Sequence, residues 1–344
     1  MPAANDHPAA EAWTPAPPPP PGRRVAPGLL AAVIALLLLF GAIGLTAARQ
    51  ASSPGAGAGS PEAAASGLLA ALDRDQLDAQ AITRASRFLT GEEHLLATTY
   101  ADRIAKLAGT PPDGGQSPLA GFGFGARDLR FQRVGGAGDA VVLEAVAGTV
   151  SVRTNGGGRL QLSLDQARQR LAEQTKGAVS SLRVVTLRAG GRWYVSLLAS
   201  GFEWARLATR RAGPPDYAAL TGAATPGADS AAAAVRGLLE SVGQPPARIA
   251  DHLVPDERNA VDAYLPSVPD GDLDKLLQTH DLEMRAPGLT GRTEQVANGV
   301  VRVYLEDSGP GSYVVAVERN GTWYPSGVFT VTDVTLTGAE REHP

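Results

Sequence analysis

The chain has 344 residues, 44% of them hydrophobic, with 31 Lys and Arg against 35 Asp and Glu for a net charge of −4. That length fits two ordinary domains with real cores, and the mild acidity excludes the basic stripe expected of a nucleic-acid binder. Cysteine is absent, which excludes disulfide staples, thiol nucleophiles, cysteine-ligated zinc and iron–sulfur sites.

Residues 1–24 hold Pro15, Pro17 and the run Pro18 to Pro21. Proline fixes φ and removes a backbone donor, so an extended, disordered tail is expected there. Between Arg24 and Arg49 lie 24 residues without a charge, many of them Leu, Ile or Val. Roughly 20 such residues cross a hydrocarbon core. The expectation is a transmembrane helix over 25–48, entering the membrane through residues 27–48. Arg23 and Arg24 precede it and a lone Arg49 follows, so the positive-inside bias leaves the tail cytoplasmic and the rest of the chain extracellular. A cleaved signal peptide, ending near Thr46-Ala47-Ala48, stays open as the rival reading. Residues 49–60, rich in Gly, Ser and Pro, read as a flexible spacer.

Beyond the spacer the chain repeats itself. Ala63 to Leu69 is echoed by Ala232 to Leu239, and Leu89-Thr90-Gly91-Glu92-Glu93 by Leu253-Val254-Pro255-Asp256-Glu257. Asp128-Leu129 and Asp281-Leu282 each open a strand. Gly148 to Val152 matches Gly299 to Val303, and Gly191-Arg192-Trp193-Tyr194 matches Gly321-Thr322-Trp323-Tyr324. Five echoes in one order predict a tandem duplication: a first domain over 61–212, a linker over 213–229, a second domain over 230–335 and a tail over 336–344.

Each unit reads as helices followed by strands. Ser60-Pro61 is a cap and first-turn pair for a helix over 62–72. Thr90-x-x-Glu93 has the form of a capping box opening a second helix, whose Leu96, Tyr100, Ile104 and Leu107 make one apolar stripe. Strands follow around 129–131, 140–152, 182–187 and 193–198, with a helical piece from Asp165 interrupting them. The second unit gives helices over 230–242 and 256–264, then strands over 282–286, 293–305, 312–318 and 322–332. Asn320-Gly321 suits the positive φ angles of a tight hairpin.

Helices first, then an antiparallel sheet closing on a Gly-x-Trp-Tyr strand, resembles the NTF2-like (cystatin-like α+β cone) superfamily. The order of elements carries this resemblance over 61–200 and 230–334. With the membrane span and spacer it is similar to single-pass envelope proteins of actinobacteria. The resemblance implies an α+β fold: one N-terminal transmembrane helix, then two tandem cones of helices packed on a curved sheet. That superfamily hosts enzymes and plain binding modules alike, so fold alone settles no function.

The chemistry-bearing residues do not converge. The five histidines show no metal spacing, and no metal ligand, cofactor or catalytic residue is assigned. Asp128 and Asp281, repeated at strand starts, are the alternative: a buried carboxylate acting as base in an isomerase or hydrolase. Gly121-Phe122-Gly123-Phe124-Gly125 lacks the following helix that a phosphate loop needs and reads as a mobile surface loop. Its Phe122 and Phe124, with Tyr194 and Tyr324 of the paired aromatics, are the candidate ligand or partner contacts. The expectation is a non-catalytic, membrane-anchored binding or scaffold protein of the envelope. Its partner would be another envelope protein or the cell wall, not a nucleic acid.

Overall fold

The structure is a computed structural model that describes residues 56–73, 78–109, 123–153, 159–174, 179–208, 213–222, 226–267, 288–306 and 312–342. It is α+β, with two antiparallel sheets.

In the first half, α1 (Pro61–Leu72), α2 (Ala79–Ser86) and α3 (Gly91–Gly109) precede β1 (Gly123–Ala137), β2 (Ala140–Arg153) and β3 (Arg159–Ser163). Then come α4 (Leu164–Gln174), β4 (Arg183–Ala189), β5 (Arg192–Ser196) and α5 (Leu197–Ala208). The sheet runs β1-β2-β4-β5, with β3 added on β2. After a 3₁₀ turn (Tyr217–Thr221) the second half has α6 (Ala231–Glu240), α7 (Pro246–Ala250) and α8 (Pro255–Tyr264). Its sheet is β6 (Leu289–Ala297), β7 (Val300–Leu305), β8 (Tyr313–Arg319) and β9 (Thr322–Ser326) in that order, and α9 (Gly327–Glu342) ends it.

The two sheets repeat one backbone register in their last hairpins. Val185 pairs with Ser196 and Arg188 with Trp193 in β4–β5; Val315 pairs with Ser326 and Glu318 with Trp323 in β8–β9. Ahead of each first helix a Gly-Ala-x-Ser segment clamps onto the Trp-Tyr strand. Ala58 and Trp193 exchange both backbone hydrogen bonds at 2.9 Å, and Ala228 and Trp323 do the same at 2.9 and 2.8 Å. Ser60 and Ser230 then accept from the amides of Ala63 and Ala233 at 3.1 and 3.2 Å, N-caps worth about 1 kcal/mol each. Gly57 and Gly227 lie flat on the rings of Tyr194 and Tyr324, where a Cβ would stand 2.7 Å from ring carbons. Residues 57–60, read from sequence as spacer, are therefore part of the first half.

Side chains alternate across each sheet. Val141, Leu143, Val184 and Val195 join the core of α1, while Val142 and Val185 face Leu220, Ala260 and Tyr264. In the second sheet Val303 and Ala316 meet Ala231 and Val235 of α6, whereas Val300, Val315 and Val317 share a core with Tyr100, Ile104, Phe329 and Leu336. So α8 of the second half helps to cover the first sheet, and α3 of the first half helps to cover the second. The exchange is reciprocal. Tyr100 packs on Phe329 with ring centroids 6.4 Å apart, and Tyr264 stacks on Phe202 at 5.7 Å.

Four expectations are corrected. No helix among the described residues is long and apolar enough to cross a membrane; the transmembrane helix expected over 25–48, with the tail before it, lies outside the described residues. Neither half closes on a strand. The strands expected to run to 198 and 332 stop at Ser196 and Ser326, and helices α5 and α9 follow at once, because a buried glutamate caps each helix start, as described below. The single strand expected over 293–305 is a hairpin, β6–β7, turning at Gly299 with φ +68°. Gly148 and Gly299 are not equivalent: Val300 pairs with Val317 as Ala140 pairs with Leu187, which sets Gly299 beside Asp139 and leaves Gly148 inside β2.

Candidate functional site

The repeated glutamates do not serve the helices that they begin. Thr90 Oγ1 is buried without a partner, so the expected capping box is not formed. Glu93 instead reaches out of α3 to the start of α5. Its carboxylate accepts from Ser196 Oγ at 3.0 Å and from the amides of Leu197 and Leu198 at 2.9 and 2.8 Å. Glu257 of α8 repeats this at α9, accepting from Ser326 Oγ and from the amides of Gly327 and Val328 at 2.9 and 3.1 Å. Ser196 and Ser326 accept in turn from the amides of Ala199 and Phe329, both at 3.1 Å. Each Ser–Glu pair thus satisfies three orphan amides of a helix N-terminus, where negative charge is favoured. The helix starts because the strand's last serine and a distant glutamate make that end tolerable in the interior.

Burial nevertheless pushes the Glu93 and Glu257 carboxyls up to about 7, against the pull of these donors. Glu92, next to Glu93, accepts from the amide of Asp256 at 2.7 Å and so joins the starts of α3 and α8. Burial, and then the charge of Asp256, raise its carboxyl well above the ordinary range; Arg319, 3.7 Å away, opposes them.

Seven residues past each repeated serine stands a second buried acid. Glu203, fully buried, takes Arg183 at 2.9 Å, Arg206 at 2.7 Å and the Tyr217 hydroxyl at 3.2 Å. Asp333, equally buried, takes Arg103 at 2.7 Å and Arg302 at 2.5 Å. Arg103 comes from α3 and Arg302 from β7, so this cluster fastens one half to the other. Arg103 is also held by Glu340 and Thr337, and Arg302 by Glu294. Burial works to raise the Asp333 carboxyl, but hydrogen bonds from Arg302 and Arg103 overcome it and hold the group below its usual range. One tyrosine of the opposite half faces each acid. Tyr264 meets Glu203 and Tyr100 meets Asp333; burial, and then the charge of the facing acid, raises both hydroxyls well above the usual phenol value.

These constellations hold protons and charges in fixed places within the fold. Among the described residues, no group of three or more His, Asp or Glu side chains is placed to hold a metal ion. His94 spends Nδ1 on the carbonyl of Ser86 at 3.0 Å.

The four contact residues expected from sequence are not brought together. Phe122 lies outside the described residues. Phe124 begins β1 rather than sitting in a loop, and is 7% exposed in the core. Tyr194 and Tyr324 are buried against Gly57 and Gly227. Asp128 is exposed, in the middle of β1 at φ +53°, and Asp281 lies outside the described residues. The buried acids and the Gly-Ala-x-Ser clamp escaped the sequence reading. Their signal was nonetheless there: Ser196 to Glu203 and Ser326 to Asp333 share one spacing, and Gly57-Ala58-x-Ser60 recurs as Gly227-Ala228-x-Ser230.

The β1–β2 ribbon is open to solvent along most of β1. Arg127, Arg130 and Arg133 are exposed along β1, and Val134 and Val146 are two of the four exposed large hydrophobic residues of the described chain, 40% and 39% exposed.

No family model, curated protein or solved structure matches this chain.

Proposed function

We propose that the folded body is a non-catalytic binding or scaffold module of the cell envelope, working outside the cytoplasm. The observation that carries this reading is the state of its buried acids: Glu93, Glu257, Glu203 and Asp333 each accept from donors fixed by the fold. General acid–base catalysis needs a titratable group aimed at a substrate, and these four are aimed at helix ends and arginines. Asp128 is exposed on β1 rather than buried in a pocket. The envelope placement is supported by the arginine flanks of residues 25–48 in the sequence and by nothing in the folded body. Kinship with NTF2-like proteins is likewise proposed, on the order of helices and antiparallel sheet.

One observation favours the enzymatic alternative. The Glu93 and Glu257 carboxyls, pushed up to about 7, sit where a general base works best.

Complementation separates the two readings. Full-length Glu93→Gln, Glu257→Gln and Asp128→Asn variants are expressed in cells lacking the gene, and folding is checked by circular dichroism. Every variant that folds is expected to restore the phenotype. A folded variant that fails to restore it overturns the binding reading in favour of the enzyme.

A further inference from the structure

The second half begins its sheet with a short hairpin, edge strand β6 and its neighbour β7, of 9 and 6 residues. The first half spends 15 and 14 residues on β1 and β2. This ribbon is irregular in three places. Two residues of β1, Asp128 and Leu129, oppose Gly148; Val146 is extra between Ala145 and Ala147; Val134 is extra between Arg133 and Gly135. The first irregularity is built into the sequence. Asp128 holds φ +53° and Gly148 φ +126°, and a Cβ on Gly148 would stand 2.8 Å from the Cα of Leu129. A bulge re-aims the residues around it, and here the two extra valines are the exposed ones. They share the ribbon with Arg127 and Arg130, which make no ion pair among the described residues, and with Arg133, whose exposed bridge to Glu62 at 2.9 Å contributes little.

Among the described residues β1 is an edge strand of its sheet, bridged on that side by Asp73 at Phe124. Bulges and charges on an edge discourage continuous strand addition, so contact here falls to side chains. The charge bias agrees with the arginines. Residues 61–212 carry 19 Lys and Arg against 14 Asp and Glu, whereas residues 230–335 carry 8 against 15. Within one duplicated fold the basic excess belongs to the half that has the long ribbon.

We propose that the β1–β2 ribbon is a docking surface for an acidic protein segment with apolar side chains between its carboxylates. The segment's acids meet Arg127 and Arg130, and its apolar groups cover Val134 and Val146. From Arg127 to Val134 the strand spans roughly 20 Å, the length of a short extended segment. This inference rests on the binding reading above and names its partner class.

The test uses the full chain and two fluorescent peptides of equal length, one alternating Glu with Leu, the other Lys with Leu. Fluorescence anisotropy is expected to show binding of the Glu peptide only, weakened at high salt as screened charge pairs are. Arg127→Glu/Arg130→Glu is expected to weaken it about a hundredfold, about 1.4 kcal/mol per lost charge pair. Val134→Ser/Val146→Ser is expected to weaken it about tenfold with the salt dependence unchanged. Both double variants should keep the parent melting temperature, because all four side chains are exposed. No binding of the Glu peptide, equal binding of both peptides, or binding indifferent to the arginine variant overturns the proposal. The same result would leave the complementation outcome untouched, so failure of this surface and failure of the binding reading are told apart.

Discussion

The two halves of this chain agree where folding is demanding and differ where it is lenient. Both keep the Gly-Ala-x-Ser clamp on the Trp-Tyr strand, the Ser–Glu cap and a buried acid seven residues later. They differ in strand length, in the presence of β3 and α4, in the length of the second large helix (α3 has 19 residues and α8 has 10) and in the sign of the charge. Shared features satisfy buried polar groups, which tolerate no substitute. Unshared features lie mostly at the sheet edge, where burial imposes less.

The largest expected effect comes from the fastening between halves. Asp333→Ala strips Arg103 and Arg302 of their common anion and should cost about 3–5 kcal/mol in urea unfolding, as breaking a buried pair does. Because α3 and α8 are exchanged, the loss should appear as one transition for the whole body. Two separate transitions, one per half, would break the comparison by showing that the halves unfold independently. Next come the clamps. Gly57→Ala and Gly227→Ala each drive a methyl into a tyrosine ring, an overpacking of about 1–3 kcal/mol. Gly57 also holds φ +52°, which adds about 1 kcal/mol for an L side chain, so Gly57→Ala should lower the melting temperature further.

The pH dependence follows from the acids. Glu93 and Glu257 have folded-state values near 7 against an ordinary 4.5, so the folded chain binds protons more tightly than the unfolded one. Their contribution is fully present below about 4.5 and is lost as pH rises through 7. Stability should therefore fall from pH 5 to pH 8, by an amount on the order of 2–3 kcal/mol for each group. In Glu93→Gln/Glu257→Gln that slope should flatten; a slope unchanged in the double variant would show that the two caps stay ionised throughout. The smallest effect is expected at the facing tyrosines. Tyr100→Phe and Tyr264→Phe each delete a buried hydroxyl facing an acid that arginines already hold, so stability from thermal melts should move by less than about 1 kcal/mol.

Much of the architecture was legible in the sequence. Ser60-Pro61 announced α1, the stripe of Leu96, Tyr100, Ile104 and Leu107 announced α3, and Asn320-Gly321, at φ +52° and +80°, announced the β8–β9 turn. The terminal helices were not legible, since Leu197 to Ala208 and Gly327 to Glu342 begin inside apolar runs that suit a strand equally well. What starts them is a glutamate about a hundred or seventy residues upstream, and local pattern carries no trace of a partner that far away. The misreading of Glu93 has the same origin. Thr90-x-x-Glu93 is a capping box by spacing, but the carboxylate finds three better donors across the fold. The candidate contacts do not assemble for a related reason: Phe124 in its glycine run and Tyr194 and Tyr324 beside their tryptophans look available locally, but the core takes the first and the distant Gly57 and Gly227 cover the other two.

An assembly of two identical chains must place the same residue on both sides of its seam. One chain holding both halves is free of that obligation, and the meeting of α3 with α8 uses the freedom. Arg319, at the end of β8, stands within 3.7 Å of Glu92, whereas the matching end of β4 is Ala189, which carries no charge. Glu203 on one side is answered by the shorter Asp333 on the other, which meets an arginine brought by α3. Lopsidedness of this kind gives the molecule a handedness of charge that no symmetric pair possesses. Any molecule that approaches it therefore meets two distinguishable halves.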